Sequence, residues 1–113
     1  MPRDISLYLL DILTAINKIE KYTEDVILED FEDNFMLQDA CIRNLEVIGE
    51  AVKQIPLSIK EKYSYSWREV AGLRDVLSHQ YFGINNEIIW DIIESELKSL
   101  KTVISKIMND LVP

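Results

Sequence analysis

The sequence predicts an all-α fold: an up-and-down bundle of four main helices with short helical turns between them. Three observations lead there. Apolar residues recur at helical spacing almost everywhere in the chain. No alternating strand pattern competes with them. Helix start and stop residues stand where the apolar stripes begin and end.

The elements follow in order. Ile5, Leu9, Ile12, Ile16 and Ile19 are spaced four, three, four and three apart, one stripe of an amphipathic helix. Residues 23–34, TEDVILEDFEDN, mix acids with Val26, Ile27, Leu28 and Phe31 and read as a connector with a short helical piece. Leu37, Cys41, Leu45, Ile48, Val52 and Ile55 form the second stripe, and Pro56 disfavours helical geometry at Ile55 and ends it. LSIKEKYSY, residues 57–65, has room for one or two turns. The third helix opens at Ser66, which with Glu69 has the capping-box pattern. Val70, Leu73 and Leu77 give its inward face, and Gly83 supplies a left-handed stop. Asn85 or Asn86 can cap the last helix, with Glu87 in its first turn. Ile89, Ile93, Leu97, Leu100, Ile104, Ile107 and Leu111 form its stripe, widened by Ile88, Ile92 and Val103. So wide a face suits a helix deep in the bundle or one serving two interfaces.

The 113 residues are expected to form one domain, 1–113, without internal repeats. Three unclustered glycines and three prolines exclude low-complexity and collagen-like classes. The net charge of −8 argues against a general nucleic-acid coat or a basic membrane binder, so a phosphate-bearing substrate must meet a local positive site. Cys41 is the sole cysteine, which leaves no internal disulfide or cysteine-based zinc site and fits a reducing cytosol. The N-terminus lacks a long apolar h-region and a small-residue cleavage site, and no run approaches the roughly 20 apolar residues of a membrane span. A cytoplasmic protein is expected.

One segment concentrates chemistry. RDVLSHQYFG, residues 74–83, holds the chain's single histidine, His79, with Arg74 five residues before it and Tyr81 two after. On a straight helix Arg74 and His79 sit roughly 140° apart, whereas Arg74 and Ser78 share a face at i and i+4. Arg74 and His79 converge only if the helix bends or frays near His79, or if a second subunit supplies another copy. Arginine offers a fork of permanently charged donors that matches phosphate oxygens, and histidine titrates near neutral pH and can move a proton. RNA cleavage by its own 2′-hydroxyl needs both and no metal. One histidine does not easily serve both sides of the phosphorus, and two copies across a two-fold axis could. The competing reading of the spacing alone is a pair of structural or surface residues.

RDVLSHQYFG resembles the R-x4-H-x-Y signature of the HepT-like toxins, formerly domain of unknown function 86, within the HEPN superfamily of helical nucleases. QDACIRNLEVIGEAVKQIP resembles that family's second long helix, SWREVAGLRDVLSH its third, and YFGINNEIIWDII its run into the last. The resemblance covers nearly the whole chain and is weakest over residues 23–34. It implies an α-helical homodimer whose R-x4-H segments face each other in a cleft, and metal-independent RNase activity serving as a toxin. It also implies a minimal nucleotidyltransferase antitoxin that transfers AMP to the motif tyrosine. Residue by residue, Arg74 and His79 become the RNase pair and Tyr81 the modification site. Asp75 fills the usually polar position after the arginine.

Arg43, Glu46 and Glu50 form a polar stripe at i, i+3 and i+7 on the second helix. Arg43 and Glu50 can orient the motif residues or belong, as Glu46 is expected to, to a solvated face whose ion pairs are worth only about 0.3–0.5 kcal/mol. The acids between residues 24 and 33 lack ligand geometry and a histidine, so no metal or other cofactor is expected. Trp67, Trp90 and Phe82 can stack on a base, but core or dimer packing is the expected use of Trp67 and Trp90. Phe82, expected at the cleft edge beside the motif, is open to either, and Cys41 is expected in the core. The alternative function is a non-catalytic dimeric adaptor that binds a nucleotidyltransferase. The acidity favours it, and the intact Arg74, His79 and Tyr81 favour the RNase.

Overall fold

The computed structural model describes residues 3–73, 77 and 85–111. Among them every regular element is helical, and the arrangement is the expected all-α bundle. Helix α1 spans Ile5–Tyr22. Asp4 caps it, accepting from the Ser6 backbone N–H at 2.9 Å and from the Ser6 hydroxyl. Leu9, Ile12, Ile16 and Ile19 are fully buried, as their spacing predicts. Each such side chain contributes roughly 1.5–3 kcal/mol of burial.

The connector does contain a short helix, α2, Leu28–Asp33. Its Phe31 is buried, with its ring 5.1 Å from that of Trp90. Helix α3, Phe35–Lys53, is capped by Asn34, whose side chain accepts from the Leu37 N–H at 3.0 Å. Cys41, Leu45, Ile48 and Val52 turn inward against α1, its most extensive partner. Helix α4, Leu57–Lys62, buries none of its residues.

The third main helix departs from expectation twice. It begins as α5, Trp67–Ala71, but the Ser66 side chain makes no capping bond. Ser66 has ψ 60° rather than the extended backbone that an N-cap needs. The helix is also interrupted at Gly72, whose N–H bonds back to the carbonyls of Arg68 and Val70 at ψ −7°. A Cβ there would lie 3.3 Å from the Arg68 carbonyl oxygen, so glycine suits this tight turn. Leu73 and Leu77 are helical again beyond it, and Leu77 is buried.

Asn85, not Asn86, caps α6, Asn86–Asp91, accepting from the Glu87 N–H at 2.8 Å. A π-helical turn, Ile92–Glu96, then joins it to α7, Leu97–Leu111. The apolar pattern explains that turn. Ile89, Ile93 and Leu97 are two successive four-residue steps, which drift by roughly 80° on an ideal α-helix. The wider turn, closed by the Leu97 N–H on the Ile92 carbonyl, lets all three stay buried. Two residues assigned to this helix's apolar face are instead exposed: Ile88 at 55% in the first turn and Leu111 at 47% in the last. At helix ends the neighbouring elements no longer cover the face. Helix α7 packs against α1, and Lys101 bonds Glu20 across that contact at 2.8 Å. No helix among the described residues is long and apolar enough to cross a membrane.

Candidate functional site

Arg74, Asp75, Ser78, His79, Tyr81, Phe82 and Gly83 lie outside the described residues. The structure describes what leads into and out of that segment. On its near side stands the break at Gly72, two residues before Arg74. Within it Leu77 is sunk in the core at 5% exposure, a fixed anchor between the motif's arginine and histidine in sequence. On its far side Asn85 caps α6. Helix α5, which leads into the segment, packs on α3.

Helix α3 also carries the two supporting candidates. Arg43 and Glu50 face the same groove as Glu46, a space of about 570 Å³ between α1 and α3. The i, i+3, i+7 spacing thus puts all three on one face, and Glu46 is half-buried there rather than freely solvated. From α1's side the groove receives Arg3, Tyr8 and Asp11. The Arg3 guanidinium lies 4.8 Å from the centre of the Tyr8 ring and forms an ion pair with Asp11. Its hydrogen bond to Asp11 pushes its already high pKa further up. Sequence reasoning missed this trio. Tyr8 and Asp11 are visible as an i, i+3 pair, but nothing local shows that Arg3, upstream of the cap, folds back to reach both.

The other singled-out residues have structural places. Trp67 is buried, and its indole N–H is directed at the carbonyls of Tyr63 and Lys60, 2.9 and 3.2 Å away. Trp90 packs on Phe31. Cys41 is fully buried, and burial pushes its thiol up to about 11, so at neutral pH it stays protonated and inert. Tyr63 donates to Asp110, and that bond raises its pKa. Tyr65 donates to the Glu96 carbonyl at 3.3 Å, at the last residue of the π turn. Among the described residues no group of three or more His, Cys, Asp or Glu is placed to hold a metal ion.

A family model described as "Ribonuclease HepT-like" matches residues 12–107. The chain belongs to the HepT-like ribonuclease family. It is 41% identical over 108 residues to "Probable ribonuclease HepT" of Thermococcus cleftensis, covering 95% of this chain and 98% of that one. It is 44% identical over 110 residues to "Putative RNase MJ0125" of Methanocaldococcus jannaschii, covering 96% and 95%. A third relative, "Gamma-glutamylcyclotransferase and putative RNase MJ0434" of the same archaeon, is 42% identical over 112 residues. The chain spans 98% of its own length in that match but only 50% of the relative's. No solved structure matches the chain significantly.

Proposed function

We propose that this chain is the RNase toxin of a toxin–antitoxin pair, cutting RNA without a metal by attack of the RNA's own 2′-hydroxyl. The observation that carries the reading is the intact R-x4-H-x-Y segment, Arg74, His79 and Tyr81, in a chain of the HepT-like ribonuclease family whose relatives carry names such as "Probable ribonuclease HepT". In this mechanism Arg74 holds the scissile phosphate and balances the charge of the phosphorane. His79 moves the protons, taking one from the 2′-hydroxyl or giving one to the departing 5′-oxygen. A homodimer bringing two motifs together supplies both proton positions. Asp75 and Ser78 lie beside the pair in sequence, and Arg43 and Glu50 support it from α3. A cytoplasmic nucleotidyltransferase antitoxin transfers AMP from ATP to Tyr81. The phenol oxygen bonds to the α-phosphorus as the α–β anhydride breaks, releasing pyrophosphate and the phenolic proton, and the adduct fills the cleft with negative charge and an adenine.

The test is cleavage of RNA in the presence of a chelator by the wild type, His79→Ala and Arg74→Ala. The wild type should leave 2′,3′-cyclic phosphate ends, and each variant should lose activity while keeping native helical content. Activity that survives both substitutions, or that needs added magnesium, would overturn the mechanism. A wild type that dimerises and binds a nucleotidyltransferase but never cuts RNA would instead establish the adaptor, the reading that the net charge of −8 favours.

A further inference from the structure

An acidic RNase has to attract a polyanion, and the charge of this chain is unevenly distributed. Residues 53–74 hold five basic side chains, Lys53, Lys60, Lys62, Arg68 and Arg74, against two acids, Glu61 and Glu69. That stretch is net +3, while the rest of the chain has seven basic residues against eighteen acids. It is also the stretch that runs directly into the motif arginine. The structure gathers part of it into a groove of about 330 Å³ between α4 and α5, lined by Leu57, Lys60, Glu61, Trp67, Arg68 and Ala71.

Three features suit this groove to a nucleic-acid backbone. Its cations outnumber its acids, unlike the α1–α3 groove, where Arg3 and Arg43 meet Asp11, Glu46 and Glu50. Among the described residues neither Lys60 nor Arg68 is drawn into an ion pair, whereas Arg3 is already held by Asp11. The groove is also preorganised: the Trp67 indole N–H bonds of 3.2 and 2.9 Å tie α5's first residue to the Lys60 and Tyr63 backbone. Leu57, 68% exposed on the same wall, offers an apolar surface on which a base can lie.

We infer that the α4–α5 groove is the docking site for the phosphate backbone of single-stranded RNA flanking the cleaved bond, with Lys60 and Arg68 on successive phosphates and Leu57 against a base. The inference rests on the RNase reading of the neighbouring motif, and it adds the substrate's second point of attachment. Backbone contacts of this kind position a strand without reading its sequence.

The experiment uses the full chain and a 2′-O-methyl RNA of about 16 nucleotides, which cannot undergo 2′-hydroxyl attack. Binding is measured against salt concentration for the wild type, for Lys60→Gln/Arg68→Gln, and for Lys18→Gln/Lys106→Gln, an equal loss of charge outside the segment. Removing two phosphate contacts should weaken binding roughly tenfold at moderate salt and flatten the salt dependence by about 1.4 log units per log unit. The control pair should change affinity by less than about twofold. Cleavage supplies the second arm. KM for long RNA should rise with the binding loss in Lys60→Gln/Arg68→Gln, while kcat, and cleavage of a dinucleotide whose single phosphate is the one cleaved, stay at wild-type values. Circular dichroism confirms folding, and Lys60→Gln alone should give about half the salt-slope change if the double variant misfolds. Equal losses in the two double variants would overturn the inference in favour of net charge alone. An unchanged Lys60→Gln/Arg68→Gln variant would also overturn it and leave the groove to an acidic protein. A wild type that binds no RNA at low salt would overturn it as well. Selective loss of binding in a protein that cuts no RNA would sustain the groove and remove the RNase reading instead.

Discussion

In α1 and α3 the buried residues run as continuous stripes, Leu9 to Ile19 and Cys41 to Val52, whereas α4 buries none of its residues and α5 only Trp67 and Val70. The two regions are held by different physics. The long pair is capped at both starts, by Asp4 and Asn34, and gains its stability from apolar area removed from water. The short pair is too brief to be stable as isolated helices and is fixed by side-chain hydrogen bonds. Trp67 reaches the Lys60 and Tyr63 carbonyls, Tyr63 reaches Asp110, and Tyr65 reaches the π turn at Glu96. A scaffold stabilised by burial can leave its surface acidic. A corner held by a few directed bonds can leave Lys60 and Arg68, neither in an ion pair among the described residues, lining a groove in the stretch that precedes the R-x4-H-x-Y segment in sequence.

Substitutions should separate the two regions, the largest effect coming first. Leu45→Ala removes a fully buried side chain from the α1–α3 contact and should cost about 2–5 kcal/mol, read as a lower denaturation midpoint. Amide exchange should then speed up across the whole molecule, because the scaffold opens globally. Trp67→Phe keeps an aromatic ring but loses the indole donor, and should cost about 1 kcal/mol. Its faster exchange should be confined to residues 57–71, with α1 and α3 unchanged. If that variant instead loosened α1 and α3 as much as Leu45→Ala does, the division into two regions would be wrong.

The smallest effect concerns pH. The Asp4 carboxyl is held below its ordinary value of 3.8 by the Ser6 N–H and hydroxyl. A depressed folded pKa contributes stability that is fully present above the ordinary value and is lost as pH falls through the folded one. The first turn of α1 should therefore fray as pH drops below 3.8, with the helical signal following it. Asp4→Ala should lack that acid-induced loss. The rest of the scaffold, packed by apolar stripes, should not share it.

Much of this molecule could be read from its residues. The stripes of α1, α3 and α7 matched because burial period is a local property, repeated every three or four positions. The helical piece inside the acidic connector was legible for the same reason, whereas the cap of α6 was narrowed only to Asn85 or Asn86, and the backbone decided for Asn85. The Ser66 capping box failed because the pattern says which atoms could bond but not whether the backbone at Ser66 is extended. The break at Gly72 was missed because a lone glycine within an otherwise helical pattern does not show by itself whether the helix continues through it. Exposure of Ile88 and Leu111 depends on where the neighbouring helices end, which no stripe records.

Helix content, the inward faces away from helix ends and the R-x4-H-x-Y segment were determined by the sequence alone, because each depends on residue type and spacing along one chain segment. Tertiary structure alone decided which charges share a groove. Arg43, Glu46 and Glu50 share a groove with Arg3 and Asp11 because α1 packs on α3, and Lys60 and Arg68 line one groove where the Trp67 indole is tied to the Lys60 and Tyr63 carbonyls. Such convergence is set by the angles between elements, and those angles come from bonds and packing between residues that the local pattern does not connect.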